Sequence, residues 1–257
     1  MIQSWHNTNV DGLIHSGMRL LHANFRSWLS GTRICEFVRE RRIVLEGRRG
    51  GPSSDPWIDR VISDRIRPGM VCIDVGAHQG EWSLRLAQAV GPTGHVFCFE
   101  PSPEYSGCLL TAINRLRINN ITCLPIALSD APGRAGFLTR DNARRRLSGE
   151  SRLAIEPACA DLVVDVGSID TLAIAFPRIA DAGFIKIDIE GAEFSVIRGA
   201  QMMLQRRRPV IYAEIEDRHC ARFGHSKGDL LKFMESLGYA ASPTDAVNFI
   251  LVPDPHL

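Results

Sequence analysis

With 257 residues the chain can bury a full core, and 45% hydrophobic against 23% charged residues is the composition of an ordinary soluble protein. A formal net charge of +1 excludes a global field that would draw in nucleic acid, so any basic partner site has to be local. No run of about 18 apolar residues is present to span a membrane, and the simplest organisation is one domain with an extension.

The start M-I-Q-S-W-H-N has neither a basic n-region nor a cleavable apolar core, which points to the cytoplasm. Residues 10–29 place Val10, Leu13, Ile14, Met18, Leu21, Phe25, Trp28 and Leu29 at helical spacing, with Arg19, His22 and Arg26 mostly off that stripe. This is an amphipathic helix that packs on the domain or a second copy, a membrane-surface helix being the alternative. Arg39 to Pro56 turns basic and then rich in Gly, Pro and Ser, which marks a linker and divides an arm (1–52) from a domain (53–257).

Beyond the linker, short apolar runs alternate with helical stretches. Strands are expected at Val71–Val75, His95–Phe99, Ile121–Leu128, Phe184–Ile189 and Val210–Ile215. Helices are expected at Glu81–Val90, Pro103–Asn119, Ala192–Gln205 and Asp229–Leu237, and the last residues can close the sheet as a hairpin. Nearly all-apolar strands joined by helices require a parallel sheet covered on both faces, a doubly wound α/β fold. The stretch Arg140–Pro157 has no clean periodicity and carries Arg140, Arg144, Arg145, Arg146 and Arg152, so it is either a solvated loop or a lid over a substrate. The seven cysteines form no CxxC pair and several sit in apolar runs, as reduced core residues do.

The first strand runs into D-V-G-A-H-Q-G, Asp74 to Gly80. A dinucleotide turn would be G-x-G-x-x-G with amides facing a pyrophosphate, but here the G-x-G doublet is missing and a carboxylate near the phosphates would repel them. A ligand with an ammonium, a sulfonium and no phosphate reverses the sign, and S-adenosylmethionine is such a ligand. Asp74, with Gly76, Ala77, His78 and Gly80 letting backbone approach, is then expected to hold its amino-acid tail. Glu100, at the end of the second strand, is placed to accept both ribose hydroxyls. Ser129 and Asp130, after the third strand, are expected near the adenine, although an Asx-turn explains Asp130 equally well.

F-I-K-I-D-I-E-G-A-E, Phe184 to Glu193, sets Lys186, Asp188 and Glu190 on one face of a strand, projecting at the carboxyl end where α/β sheets bind ligands. P-V-I-Y-A-E-I-E-D-R-H repeats the pattern with Tyr212, Glu214 and Glu216, followed by His219 in a loop. These acids can ligate a hard cation, but no linear metal motif supports it and no metal is expected. Arg206–Arg208 is most simply a cationic cap on a helix end.

In chain order, D-V-G-A-H-Q-G, F-E-P-S, A-L-S-D, S-I-D-T-L and K-I-D-I-E-G-A-E resemble the FkbM family of S-adenosylmethionine-dependent methyltransferases, over about residues 58 to 216. K-I-D-x-E-G-x-E is the most specific part. The resemblance implies a Rossmann-like class I methyltransferase sheet of about seven strands and methyl transfer, usually to a hydroxyl of a natural product or glycan. Asp188, placed also with the cofactor, or Glu190 is the expected base, with Lys186 orienting the carboxylates and His219 the alternative base. The expected partner is a small-molecule or glycan acceptor, without nucleic acid, and a homo-oligomer is left open. Two other readings stand beside it: a nicotinamide-dependent oxidoreductase on the same fold, and a non-catalytic S-adenosylmethionine-binding subunit.

Overall fold

A computed structural model describes residues 56–255, apart from 142, 144–146, 148 and 149. The amphipathic arm, its linker, Cys35 and Arg144–Arg146 lie outside the described residues. Helix α1 (Pro56–Arg65) leads to strand β1 (Val71–Val75), helix α2 (Glu81–Val90), strand β2 (His95–Phe99), helix α3 (Pro103–Leu116) and strand β3 (Ile121–Leu124). Four further strands, β4 (Ala127–Leu128), β5 (Gly133–Leu138), β6 (Arg152–Leu153) and β7 (Leu162–Gly167), precede helix α4 (Ile169–Ala175). The chain then forms β8 (Ala182–Ile187), α5 (Glu193–Arg198), α6 (Gln201–Arg207), β9 (Val210–Glu214), α7 (Asp217–Arg222), α8 (Lys227–Ser236), β10 (Tyr239–Pro243) and β11 (Asn248–Pro253).

The seven-stranded sheet has the order β10-β11-β9-β8-β1-β2-β3. Its five strands from β9 to β3 are parallel, and β10 and β11 close it as an antiparallel hairpin. The doubly wound fold expected from the sequence is therefore present, with the chain winding out from β1 to β3 and returning through β8 to β9. The carboxyl ends of β1 and β8, where the winding reverses, open a crevice.

Alternation sorts the side chains between two cores. Ile73, Val75, Ile185, Ile187 and Ile211 pack on the face covered by α4 to α6 and α8. Cys72, Phe184 and Tyr212 pack on the other face with α1 to α3. Two positions on that second face break the apolar pattern, Asp74 and Lys186, and the register pairs them directly across β1 and β8. Of the six described cysteines, all carry free thiols and Cys72, Cys98, Cys108 and Cys220 are buried, as core residues should be.

Three differences from the sequence reading have local causes. The expected strand Ile121–Leu128 breaks at Pro125, which cannot donate to a ladder, and its second half joins a separate four-stranded sheet of order β4-β7-β5-β6. Helix α3 stops at Leu116 because Arg117 turns left-handed at φ 54°. The helix expected over Ala192–Gln205 is two, α5 and α6, divided at Gly199, whose missing side chain makes room for the Ser129 carbonyl.

Arg208 does more than cap α6: its guanidinium donates to the carbonyls of Gly238 (2.9 Å) and Asp254 (3.2 Å), tying the helix to the closing hairpin. Among the described residues no helix is long and apolar enough to cross a membrane.

The turn after β1 depends on Gly76, at φ 77°. A Cβ there would collide with the Asp188 carbonyl and lie 2.9 Å from Ile189 Cγ2, so the loop after β8 crosses the turn only because Gly76 has no side chain. Gly76→Ala is expected to lower unfolding stability by about 1–3 kcal/mol from backbone strain alone, read as a lower urea midpoint at unchanged slope.

Candidate cofactor and methyl-transfer site

The crevice is a cavity of about 470 Å³, within the range of small-molecule sites. Its floor is the β1 turn, its sides are the ends of β2 and β8, and the small second sheet supplies a wall through Phe137, Arg152 and Leu153.

The β1 turn has few free amides. Gly76 and Ala77 both donate to the Phe99 carbonyl (3.0 and 3.1 Å), and Gly80 donates to Ala77 (2.8 Å). The amide of His78 donates to Glu100 Oε2 at 2.8 Å. A loop whose N–H groups are engaged in this way is not a phosphate cradle. His78, left-handed at φ 51°, packs its ring against that of Tyr105, centroids 3.9 Å apart and planes tilted by 52°, and both line the cavity. Gly80 does not line it; a Cβ there would strike Leu109, so this glycine serves the packing of α3 on α2.

Glu100 sits where the sequence places it, buried on the cavity wall. Its second oxygen accepts the amide of Ser102 at 2.8 Å. Burial pushes its carboxyl up to about 7, although the Ser102 and His78 amides and Lys186 all favour the anion. Two oxygens fixed by amides and facing a cavity are suited to the hydroxyls of a ribose, each oxygen having a further lone pair.

Asp74 is corrected. It is 0% exposed and does not line the cavity, so it does not meet a ligand. Its Oδ2 instead accepts from Ser83 Oγ at 2.6 Å, and its Oδ1 lies 3.5 Å from Lys186 Nζ. Lys186, 3% exposed, donates to the Gly76 carbonyl at 2.8 Å and pairs on its other side with Asp188 Oδ2 at 3.5 Å. Burial alone would depress this lysine, but Asp188, Asp74 and Glu100 outweigh it and hold it above the ordinary lysine range.

The alternation expected along Lys186, Asp188 and Glu190 ends with the strand at Ile187. Glu190 is left-handed at φ 62° and Gly191 follows at φ 116°, so the backbone turns before Glu190 can share a strand face. Glu193 pins that turn, its Oε1 accepting the amides of Ile189 (3.2 Å) and Gly191 (3.0 Å). Asp188 and Glu190 both reach the cavity, but differently. The Asp188 side chain is 41% exposed beside Lys186; that of Glu190 is 10% exposed, with Oε2 set 2.9 Å from His219 Nδ1. Burial, then Asp188, Glu214, Glu150 and Glu193, push Glu190 up to about 8.

His219 lies on helix α7 rather than in a loop, buried behind Glu190 and off the cavity wall, and burial lowers its pKa. It is not positioned as a base toward a substrate. Tyr212 is buried in the core against Trp82, ring centroids 5.1 Å apart. Ser129 and Asp130 are also corrected: neither lines the cavity, and Asp130 pairs with Arg198 at 3.1 Å. The wall expected from them is made by Ile126, Ala127 and Leu128, with Pro101.

Tyr105, Phe137 and the segment 126–128 are the site residues the sequence reading missed. Alternation of Ala135 and Phe137 in G-R-A-G-F-L was the available signal for the second sheet.

Carboxylate for a diol, an apolar slot for a base, and acids at the far end with no phosphate cradle are the donor set that S-adenosylmethionine requires; the residues fit it. The family model described as "Methyltransferase FkbM domain" matches residues 74–241, well over half of the chain. No curated protein matches the chain. Among solved structures, it is similar to a methyltransferase FkbM from Methylobacillus flagellatus KT, with 16% identity and a TM-score of 0.48 over 84% of this chain and 58% of that one. The chain thus spans a little over half the length of that protein. It is similar also to a precorrin-6y C5,15-methyltransferase from Geobacter metallireducens, with 14% identity and a TM-score of 0.47 over 79% of this chain and 90% of that one. A SAM-dependent O-methyltransferase from Thermotoga maritima gives 11% identity and a TM-score of 0.47 over 82% of this chain and 71% of that one. With its β1 turn, β2 carboxylate and K-I-D-I-E-G-A-E loop assembled in one crevice and covered by that family match, the chain belongs to the FkbM methyltransferase family and takes S-adenosylmethionine as cofactor.

Proposed function

We propose that the protein methylates a hydroxyl of a sugar, glycan or natural product, acting in the cytoplasm on a small-molecule or glycan acceptor. The observation that carries this reading is Asp188: a half-exposed carboxylate on the cavity wall, held from behind by the Lys186 ammonium at 3.5 Å. A neutral hydroxyl is a weak nucleophile and benefits from a carboxylate to take its proton. The nicotinamide reading loses support from the engaged amides of the β1 turn.

Bound S-adenosylmethionine supplies an electrophilic methyl group on a sulfonium. Glu100 would hold its ribose and Ile126 to Leu128 its base, in the crevice whose floor is the Gly76–His78 turn. Asp188 accepts the acceptor's proton, and Lys186, fixed by the Gly76 carbonyl, keeps that carboxylate in place. Arg152, which also lines the cavity, gives the acceptor a cation and favours an anionic or polyhydroxylated molecule. This part of the 140–157 segment fits the role of a lid suggested by its arginines.

Screening hydroxylated acceptors with a methyl-labelled donor tests the reading. Asp188→Asn is expected to lower kcat by about a hundredfold or more with donor affinity nearly intact; Asp188→Asn at normal turnover would refute the assignment. Arg152→Ala is expected to raise the acceptor KM and leave donor binding unchanged.

Glu100 makes donor binding pH-dependent. Its carboxyl, near 7 in the free protein, must be ionised for both oxygens to accept, since a proton on either would face a backbone N–H. Affinity is therefore expected to rise as pH rises through 7 and then level, and below 7 to fall by up to about tenfold per pH unit. In Glu100→Gln that component should vanish, with affinity about 10–100-fold lower because an amide N–H₂ faces another donor. Calorimetric titrations from about pH 5.5 to about 8.5, which bracket the value of about 7, compare the two proteins. Identical pH profiles would exclude Glu100 from the cofactor site.

A further inference from the structure

Behind Glu190, at the carboxyl ends of β8 and β9, lies a second group of side chains that the methyl-transfer reading does not use. Glu214 ends β9, Glu216 precedes helix α7, and His219 sits in that helix; one ligand atom from each lies within 4.8 Å of the others. No sequence spacing rule reveals them, because strand, turn and helix bring them together.

We propose that Glu214, Glu216 and His219 form a binding site for one divalent transition-metal ion of the Mn²⁺ or Zn²⁺ class. His219 is the independent pointer. It is 3% exposed, yet its Nε2 has no hydrogen-bond partner; the 3.5 Å approach to Glu216 Oε2 is not a hydrogen bond. A buried imidazole nitrogen without a partner is costly, and this one is turned toward the two glutamates.

The other ring nitrogen, Nδ1, faces Glu190 Oε2 at 2.9 Å. Glu190 Oε2 has no hydrogen-bond partner either, so this contact is not yet a hydrogen bond; a metal on Nε2 would leave the ring's proton on Nδ1, facing Glu190, the carboxylate–histidine–metal arrangement. Arg218 holds the other oxygen of Glu216, Oε1, at 2.6 Å, so Oε2 is the one presented to the histidine. Gly191 allows the β8 loop to lie on the His219 carbonyl, which a Cβ would strike, and this fixes Glu190 against the ring. One imidazole with two carboxylates suits Mn²⁺ or Zn²⁺ better than Mg²⁺ or Ca²⁺, which prefer all-oxygen sets. The three atoms need to draw in by about an ångström to reach ligand lengths of about 2.0–2.2 Å.

The test uses the tag-free full chain without donor or acceptor. Mn²⁺ is titrated and the free ion followed by electron paramagnetic resonance, with Zn²⁺ uptake measured after dialysis. One equivalent of tight, micromolar binding is expected. It should be lost in Glu216→Gln and His219→Asn and weakened about 10–100-fold in Glu190→Gln, with circular dichroism unchanged. Should His219→Asn not fold, Glu214→Gln gives the same readout at a half-buried strand end. No binding of either ion by the wild type overturns the site, as does binding that survives in folded Glu214→Gln and Glu216→Gln. Donor binding, measured separately, does not depend on either result.

Discussion

The structure depends on one buried cation. The Lys186 ammonium, with almost no contact with water, is held between Asp74 and Asp188 and by the Gly76 carbonyl. A buried ion is tolerated only when it is paired and hydrogen-bonded, and removing one partner from such a group typically costs about 3–5 kcal/mol. Asp74 is set by the register of β1 against β8, Gly76 by the turn that follows, and Asp188 by the loop that crosses it. The ammonium therefore requires all three segments to adopt one arrangement, and that arrangement is the floor of the cavity.

The same economy decides what the floor can bind. The amides of Gly76, Ala77 and His78 are turned inward, to Phe99 and Glu100, so the turn spends its donors on joining β1 to β2. A phosphate would find neither free donors nor net positive charge there. A ligand that brings hydroxyls and cations finds Glu100 at one end and acids at the other. Selection against dinucleotides thus comes from backbone bookkeeping more than from the repulsive carboxylate at Asp74, which the sequence suggests but which burial removes from the ligand's reach.

Much of this was legible. Apolar runs of five residues, punctuated by glycines and helical stretches, specify β1, β2, β8 and β9 and hence the crevice at their ends. Glu100 and Asp188 could be placed from position alone, because a residue directly after a parallel strand has few places to go. What could not be read depended on where a strand stops. One residue past Ile187 the two-residue alternation fails, and a left-handed Glu190 sends the next carboxylate toward His219 instead of along the sheet. Asp74 looks like a ligand contact until Lys186, more than a hundred residues later, is seen on the neighbouring strand in register with it. In the second sheet β4 and β6 have two residues each, too few for periodicity to register, and the six-residue β5 and β7 each carry glycine and a charged residue in place of an unbroken apolar run.

Charge around the cavity also bears on the direction of the reaction. Lys186 is consumed by its two aspartates, and Arg85, on the cavity rim, pairs with Asp59 at 2.9 Å. Glu100 and Asp188 remain along the wall, while Glu190, pushed up to about 8, is mostly neutral near pH 7 and has Arg152 within its field. Such a wall attracts a donor that carries a sulfonium and an ammonium. Once the methyl group has left, the sulfonium becomes a neutral thioether and the donor, whose amino-acid end is a zwitterion, loses its net positive charge. The residues that draw the donor in therefore have less hold on what remains of it, and the electrostatics that favour binding also favour release of the spent cofactor.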